Sequence, residues 1–215
     1  MIYNIRVSLI PVFTSCSFTL IDKLKLSIPM AKRLTRIYTR TGDDGSTGLT
    51  KGKRVDKDSI RVEVMGDVDE LNSIIGVLIA GKPDEDITGY LLNIQHRLFD
   101  IGAELSMPGT SIIQSEYVSR LEELIDTFNE DLKPPEEFIL PGGTMAGAVC
   151  HLARSVCRRA ERHMVKLGRK EYLNPETLVY INRLSDLLFV FARVLTLQNN
   201  GKEVYWNKNR LKQSV

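Results

Sequence analysis

Apolar residues recur at three- and four-residue spacing along most of the chain after residue 67, the period of a helix with one buried face. Leu71, Ile74, Ile75 and Leu78 mark a first helix over about Val68–Ala80. Leu91, Leu92, Gln95, Leu98, Phe99 and Leu105 mark a second over about Ile87–Ser106, ended by Pro108 and Gly109. A third covers about Ser115–Leu132, closed by Pro134 and Pro135. Residues Phe138–Thr144, FILPGGT, read as a turn into a fourth helix over about Met145–Leu167, with Gly168 as its stop. Asn174 is a cap and Pro175 occupies the first helical position of a fifth helix, which runs to about Gln198 and ends at Asn199, Asn200 and Gly201. Five helices with short connections predict an all-α fold, an antiparallel five-helix bundle with a ferritin-like up-down arrangement. A long N-terminal loop and tail precede it.

Residues 36–62 show no helical period. Glycines at 42, 45, 48 and 52 alternate with Asp, Thr and Ser, which reads as a long polar loop. Loops of that length inside compact proteins are either functional or mobile, and both readings stand at this point.

Composition narrows the classes. A chain of 215 residues suits one domain, or one domain with a tail. Its apolar share of 43% and charged share of 26% are ordinary for a globular protein. A net charge of +2 supplies no global field for nucleic acid or a membrane surface. No apolar run approaches the ~20 residues of a spanning helix. Neither partner is therefore expected. Cys150 and Cys157 lie seven apart on one predicted helix, ~10.5 Å along its axis, too far for a disulfide. With Cys16 they form no CxxC motif, so no protein-held metal is expected and a reducing, cytoplasmic setting fits.

Residues 1–29 are apolar and β-branched, and the sequence restarts at Met30 with AKRLTRIYTR. We read them as a dispensable extension preceding a domain over 30–215. A targeting segment and an ordered arm are the alternatives.

The positive charge is local. Residues 151–170 hold seven Arg or Lys against one Glu. Helical geometry places His151, Arg154, Arg158 and Glu161 on one stripe, flanked by Arg159 and Arg162. Like charges so dense make a poor solvated face. The planar, forked guanidinium matches phosphate oxygens two at a time, so polyphosphate recognition competes with a plain basic surface. On the fifth helix Asn182 and Asp186 share a face, with Arg183 beside them. They are either a structural polar network or ligand-facing, with Asn182 donating to a nucleotide and Asp186 holding an arginine. The loop adds hydroxyls at Thr39, Thr41, Ser46 and Thr47, cations at Arg40, Lys53, Arg54 and Lys57, and backbone amides suited to an anion nest. It is not a P-loop: Gly48–Lys53 is one residue short, and Arg54 follows where Ser or Thr should. Asp67, Asp69 and Glu70 sit near the predicted start of the first helix, where the helix dipole would favour them. No paired Glu-x-x-His motif and no Ser-His-Asp set stands out, so the chemistry needs no general base.

TRTGDDGSTGL, GDVDELNS, FILPGGT, RRAER and INRLSD occur in this order. Together they resemble the propanediol-utilisation type of ATP:cob(I)alamin adenosyltransferase, over about residues 35–207. The resemblance implies a homotrimer with active sites between subunits. It also implies transfer of the 5′-deoxyadenosyl group of ATP to cob(I)alamin, with Mg2+ accompanying ATP. By resemblance Thr39, Arg40, Thr41, Gly42, Thr47, Gly48 and Lys57 bind ATP from the loop, with Arg158, Arg159, Glu161, Arg162, Asn182 and Asp186 completing the pocket. Position 48 is Gly where some relatives carry a hydroxyl residue, which leaves it backbone contacts. Asp69 is the acid implied to pair with Arg154 across the subunit boundary. Phe138 is implied to cover the lower face of the corrin and exclude the axial ligand. A cobalamin reductase and a client B12-dependent enzyme are candidate further partners. The alternative function is a non-catalytic ATP-binding bundle that carries or delivers cobalamin.

Overall fold

A computed structural model describes residues 38–210. The extension over 1–29 lies outside the described residues. The chain divides between Asp44 and Gly45 into two units. Of the first, residues 38–44 are described, and they form a turn.

The second unit holds five helices: α1 (Ile60–Ala80), α2 (Glu85–Ser106), α3 (Ser115–Glu130), α4 (Met145–Gly168) and α5 (Pro175–Gln198). They form the expected antiparallel bundle. α5 packs against α3 and α4, α4 against α1, and α1 against α2. α5 has more buried residues than any other helix, with Tyr180, Leu184, Leu188 and Phe191 in the core, because its run Leu187–Leu195 is apolar at every position but Arg193. Edge-to-face contacts from Tyr90 to Phe128 and on to Phe191 tie α2 and α3 to it. The fifth cap is as expected: the Asn174 side chain accepts from the Glu176 amide, with Pro175 behind it. Cys150 and Cys157 are free and buried. Burial pushes the Cys150 thiol up to about 12 and raises Cys157 also, so neither is a nucleophile at neutral pH. Among the described residues no helix is long and apolar enough to cross a membrane.

Two expectations need correction. The polar stretch before the helices is not irregular throughout. Strands β1 (Ser46–Gly48) and β2 (Arg54–Asp56) pair antiparallel, with Thr47 opposite Val55. Leu49 is buried beneath them, and Thr50 bonds to the Ser106 hydroxyl at the end of α2 through both its amide and its own hydroxyl. Three-residue strands are too short to reveal a period. The first helix also begins eight residues earlier than expected, after Ser59. Ile60, Val64 and Val68 continue the apolar face backwards at four-residue spacing, and the exposed Gly66 is a tolerated interior glycine. Asp67, Asp69 and Glu70 thus lie about two turns inside α1, too deep to feel the helix N-terminus.

Candidate active site

α4 presents its basic residues in two directions. Arg159 turns to α1, where its Nε donates to Asp67 at 2.8 Å and its Nη2 to Glu70. His163 Nδ1 meets the other Asp67 oxygen at 2.6 Å. Those hydrogen bonds, above all the one to Asp67, raise the Arg159 pKa. Asp67 and Glu70 therefore have partners that sequence spacing did not suggest.

Arg154, Arg158 and Arg162 turn the other way and form no ion pair among the described residues. Arg154 is half-buried, and its Nε has no hydrogen-bond partner. Burial first, then the neighbouring Arg158 charge, lowers its pKa. An unpaired, desolvated cation is costly. Arg154 and Arg158 line a groove of about 260 Å3 with Asn129, Ser185, Asp186 and Phe189. One turn on, Arg158, Glu161 and Arg162 line a second, of about 330 Å3. Glu161 accepts from Asn182 Nδ2 at 2.9 Å, which ties the amide to an acid of the second groove. Asp186 is exposed and pairs with Arg183 of its own helix at 3.3 Å, not with an arginine of α4. His151, at the head of the stripe, is buried edge-on against Phe189. Asp69 is exposed and has no partner among the described residues.

The remaining candidates lie elsewhere. In the first unit the Thr39 and Thr41 hydroxyls share a 2.8 Å hydrogen bond. Arg40 between them has a φ of 60°, a conformation that costs a non-glycine residue of order 1 kcal/mol and clusters at functional loops. Gly42 follows in the turn. In the second unit Thr47 and Gly48 lie on β1, and the Lys57 amide closes the hairpin on the Gly45 carbonyl at 2.9 Å. A Cβ at Gly48 would meet nothing within 4 Å, so a hydroxyl residue would fit there. The hairpin is seated on α2, whereas Arg154 and Arg158 share a groove with residues of α3 and α5. One chain does not bring Thr47 to Arg158 by any contact described.

Phe138 is 76% exposed. Its strand-like segment is bridged to the residues after α5: Leu140 N donates to Val204 O at 2.8 Å, and Trp206 N to Phe138 O at 2.7 Å. The following turn is tight. Gly143 has a φ of 94°, and a Cβ on Gly147 would lie 2.1 Å from the Thr196 hydroxyl. Sequence reasoning passed over Arg193, although a single arginine in the apolar run Leu187–Leu195 was a signal. It is buried against Glu203.

Among the described residues no group of three or more His, Cys, Asp or Glu side chains is placed to hold a metal ion.

An all-helical bundle with a ridge of arginines that form no ion pair among the described residues, beside a fixed amide, is a surface suited to a polyanion. The chain belongs to the cobalamin adenosyltransferase family, whose model matches residues 37–195. It is 51% identical over 183 residues to a cobalamin adenosyltransferase of Cupriavidus metallidurans, spanning 84% of this chain and 99% of that one. It is 45% identical over 190 residues to a corrinoid adenosyltransferase of Mycobacterium leprae, spanning 82% and 98%. Its fold is similar to that of a variant PduO-type ATP:corrinoid adenosyltransferase from Lactobacillus reuteri, solved with cobalamin and ATP. That match has a TM-score of 0.77 and 34% identity, and covers 80% of this chain and 97% of that one.

Proposed function

We propose that this protein transfers the 5′-deoxyadenosyl group of ATP to the cobalt of cob(I)alamin, releasing triphosphate and forming adenosylcobalamin. In a chain of this family, the observation that carries the reading is the unpaired set Arg154, Arg158 and Arg162 beside the Asn182–Glu161 pair. The cobalt lone pair attacks C5′, the C5′–O bond breaks, and its electrons leave with triphosphate. Cob(I)alamin is nucleophilic enough to need no base. The protein has to align cobalt with C5′, which can supply several kcal/mol, and to stabilise charge growing on the leaving group. Arg158 and Arg162 are free for that second task. Asn182 and the loop residues Thr39–Gly42, Thr47, Gly48 and Lys57 hold the nucleotide. The hard chemistry remains with cobalt.

The site is shared between subunits of a homotrimer. Support comes from three unmet requirements among the described residues: Arg154 is desolvated without a counter-ion, Asp69 is an exposed acid without a partner, and the hairpin is seated away from Arg154 and Arg158. A ring closed by a heterologous contact would satisfy all three. Phe138 then stands as an apolar wall on the lower corrin face.

The test is anaerobic incubation with ATP, magnesium and chemically reduced cobalamin, following the photolabile cobalt–carbon bond. Product formation supports the transferase. Binding of both substrates without product would leave a carrier in its place.

A further inference from the structure

The ring of Phe138 is too exposed for packing to orient it. Its direction is set by its backbone, and that backbone is held by a neighbour distant in sequence. Residues 201–206 leave α5 and run antiparallel to Phe138–Leu140, with Ile139 opposite Tyr205. This strap has its own anchor. Arg193 Nε donates to Glu203 Oε1 at 2.6 Å, and Nη2 reaches both Glu203 Oε2 at 3.3 Å and the Lys133 carbonyl at 2.7 Å. The two side chains are only 3% and 10% exposed. The Tyr205 hydroxyl adds a bond to Glu203 at 3.2 Å. A buried pair of this kind is weak evidence for net stability, because desolvation offsets the attraction, but it permits one geometry. Lys133 lies just ahead of the Phe138 segment and Val204–Trp206 alongside it, so Arg193 ties down both strands of the bridge.

We propose that Arg193 and Glu203 are positioning residues for adenosyl transfer: their ion pair sets the strap, and the strap aims Phe138. The inference rests on the reading of Phe138 as the wall that excludes the axial ligand. Without that wall, cobalt keeps its lower ligand and is harder to reduce by the one electron that converts cob(II)alamin to cob(I)alamin. Loss of the ion pair therefore acts on that step and not on ATP binding.

Two variants test this in the full-length protein. Glu203→Gln removes the charge and keeps the shape. Trp206→Pro removes the N–H that Phe138 O accepts and leaves the ion pair, and Tyr205 before it is already extended, as a residue preceding proline must be. Each is assayed with ATP and magnesium from two starting points: cob(II)alamin with a reduced flavin as electron donor, and preformed cob(I)alamin. In both variants kcat from cob(II)alamin is expected to fall about tenfold or more. The rate from cob(I)alamin should stay within about threefold, and KM for ATP within about twofold. The EPR spectrum of bound cob(II)alamin should keep the splitting from its axial nitrogen. Equal slowing by both routes, or wild-type behaviour in either variant, overturns the proposal. So does an identical loss in Trp206→Ala, which would assign the effect to the indole. If Glu203→Gln does not fold, Trp206→Pro decides alone. Phe138→Ala, run alongside, separates the two layers. If it is as fast as the parent from cob(II)alamin, the wall reading itself fails. If it slows that route selectively while the strap variants do not, only the positioning role fails.

Discussion

Arg158 and Arg159 are adjacent in sequence, yet Arg159 is held by Asp67 and Glu70 while Arg158 meets no carboxylate among the described residues. Arg158→Ala should lower turnover at least about tenfold, or about 1.4 kcal/mol of transition-state stabilisation. Near-normal steady-state kinetics would remove its leaving-group role. His151 yields a second expectation. Burial, followed by the Arg154 charge, lowers its pKa below the ordinary 6.5, with Glu203 opposing. As pH falls through about 6.5 the unfolded chain takes up a proton that the fold resists, so stability declines on the acid side. His151→Gln should flatten that decline. Urea midpoints of both proteins at pH 7.5 and pH 5.5 measure it, and parallel shifts would absolve His151. The difference between Arg158 and Arg159 was not legible in RRAER. Spacing gives the direction of a side chain around its own helix, but Arg159 is defined by acids 89 to 92 residues away.

The helices were legible because their apolar faces are long. α2 to α5 agree with the sequence reading to within two residues at each end. The start of α1 was obscured by the polar residues around Ile60, and the hairpin by strands of three residues, whose pairing is a property of two segments at once. FILPGGT was legible as a turn but not as a close approach. Gly143 and Gly147 let it press on Thr196, and Gly147→Ala would place a methyl group against that hydroxyl. We expect about 1–3 kcal/mol of destabilisation, read by urea unfolding. Thr196→Ala in the same chain should recover part of it. An additive loss in the double variant would mean that the crowding is not the cause.

At the scale of the whole molecule, the sequence carries no sign of whether one chain or two assemble the candidate site. If sites form between subunits, Asp69→Ala and Arg154→Ala each disable a different side of every interface. Each variant alone should be nearly inactive. Refolded together in equal amounts, about a quarter of the interfaces would draw both residues from intact partners, and about that share of parental activity should return. No recovery would place the site within a single chain.

The strap also has a meaning in time. Phe138 is bridged to residues some 65 positions later, and the anchor needs Glu203. Contacts so distant along the chain form late, and a nascent protein folds from its N-terminus as it is made. The arginine ridge can exist on the ribosome once α4 and α5 have emerged, but the aromatic wall cannot be set until Trp206 has followed. A chain still in synthesis would then present its arginines before it could exclude the lower ligand from cobalt, and would gain that ability only once residues 201–206 had followed.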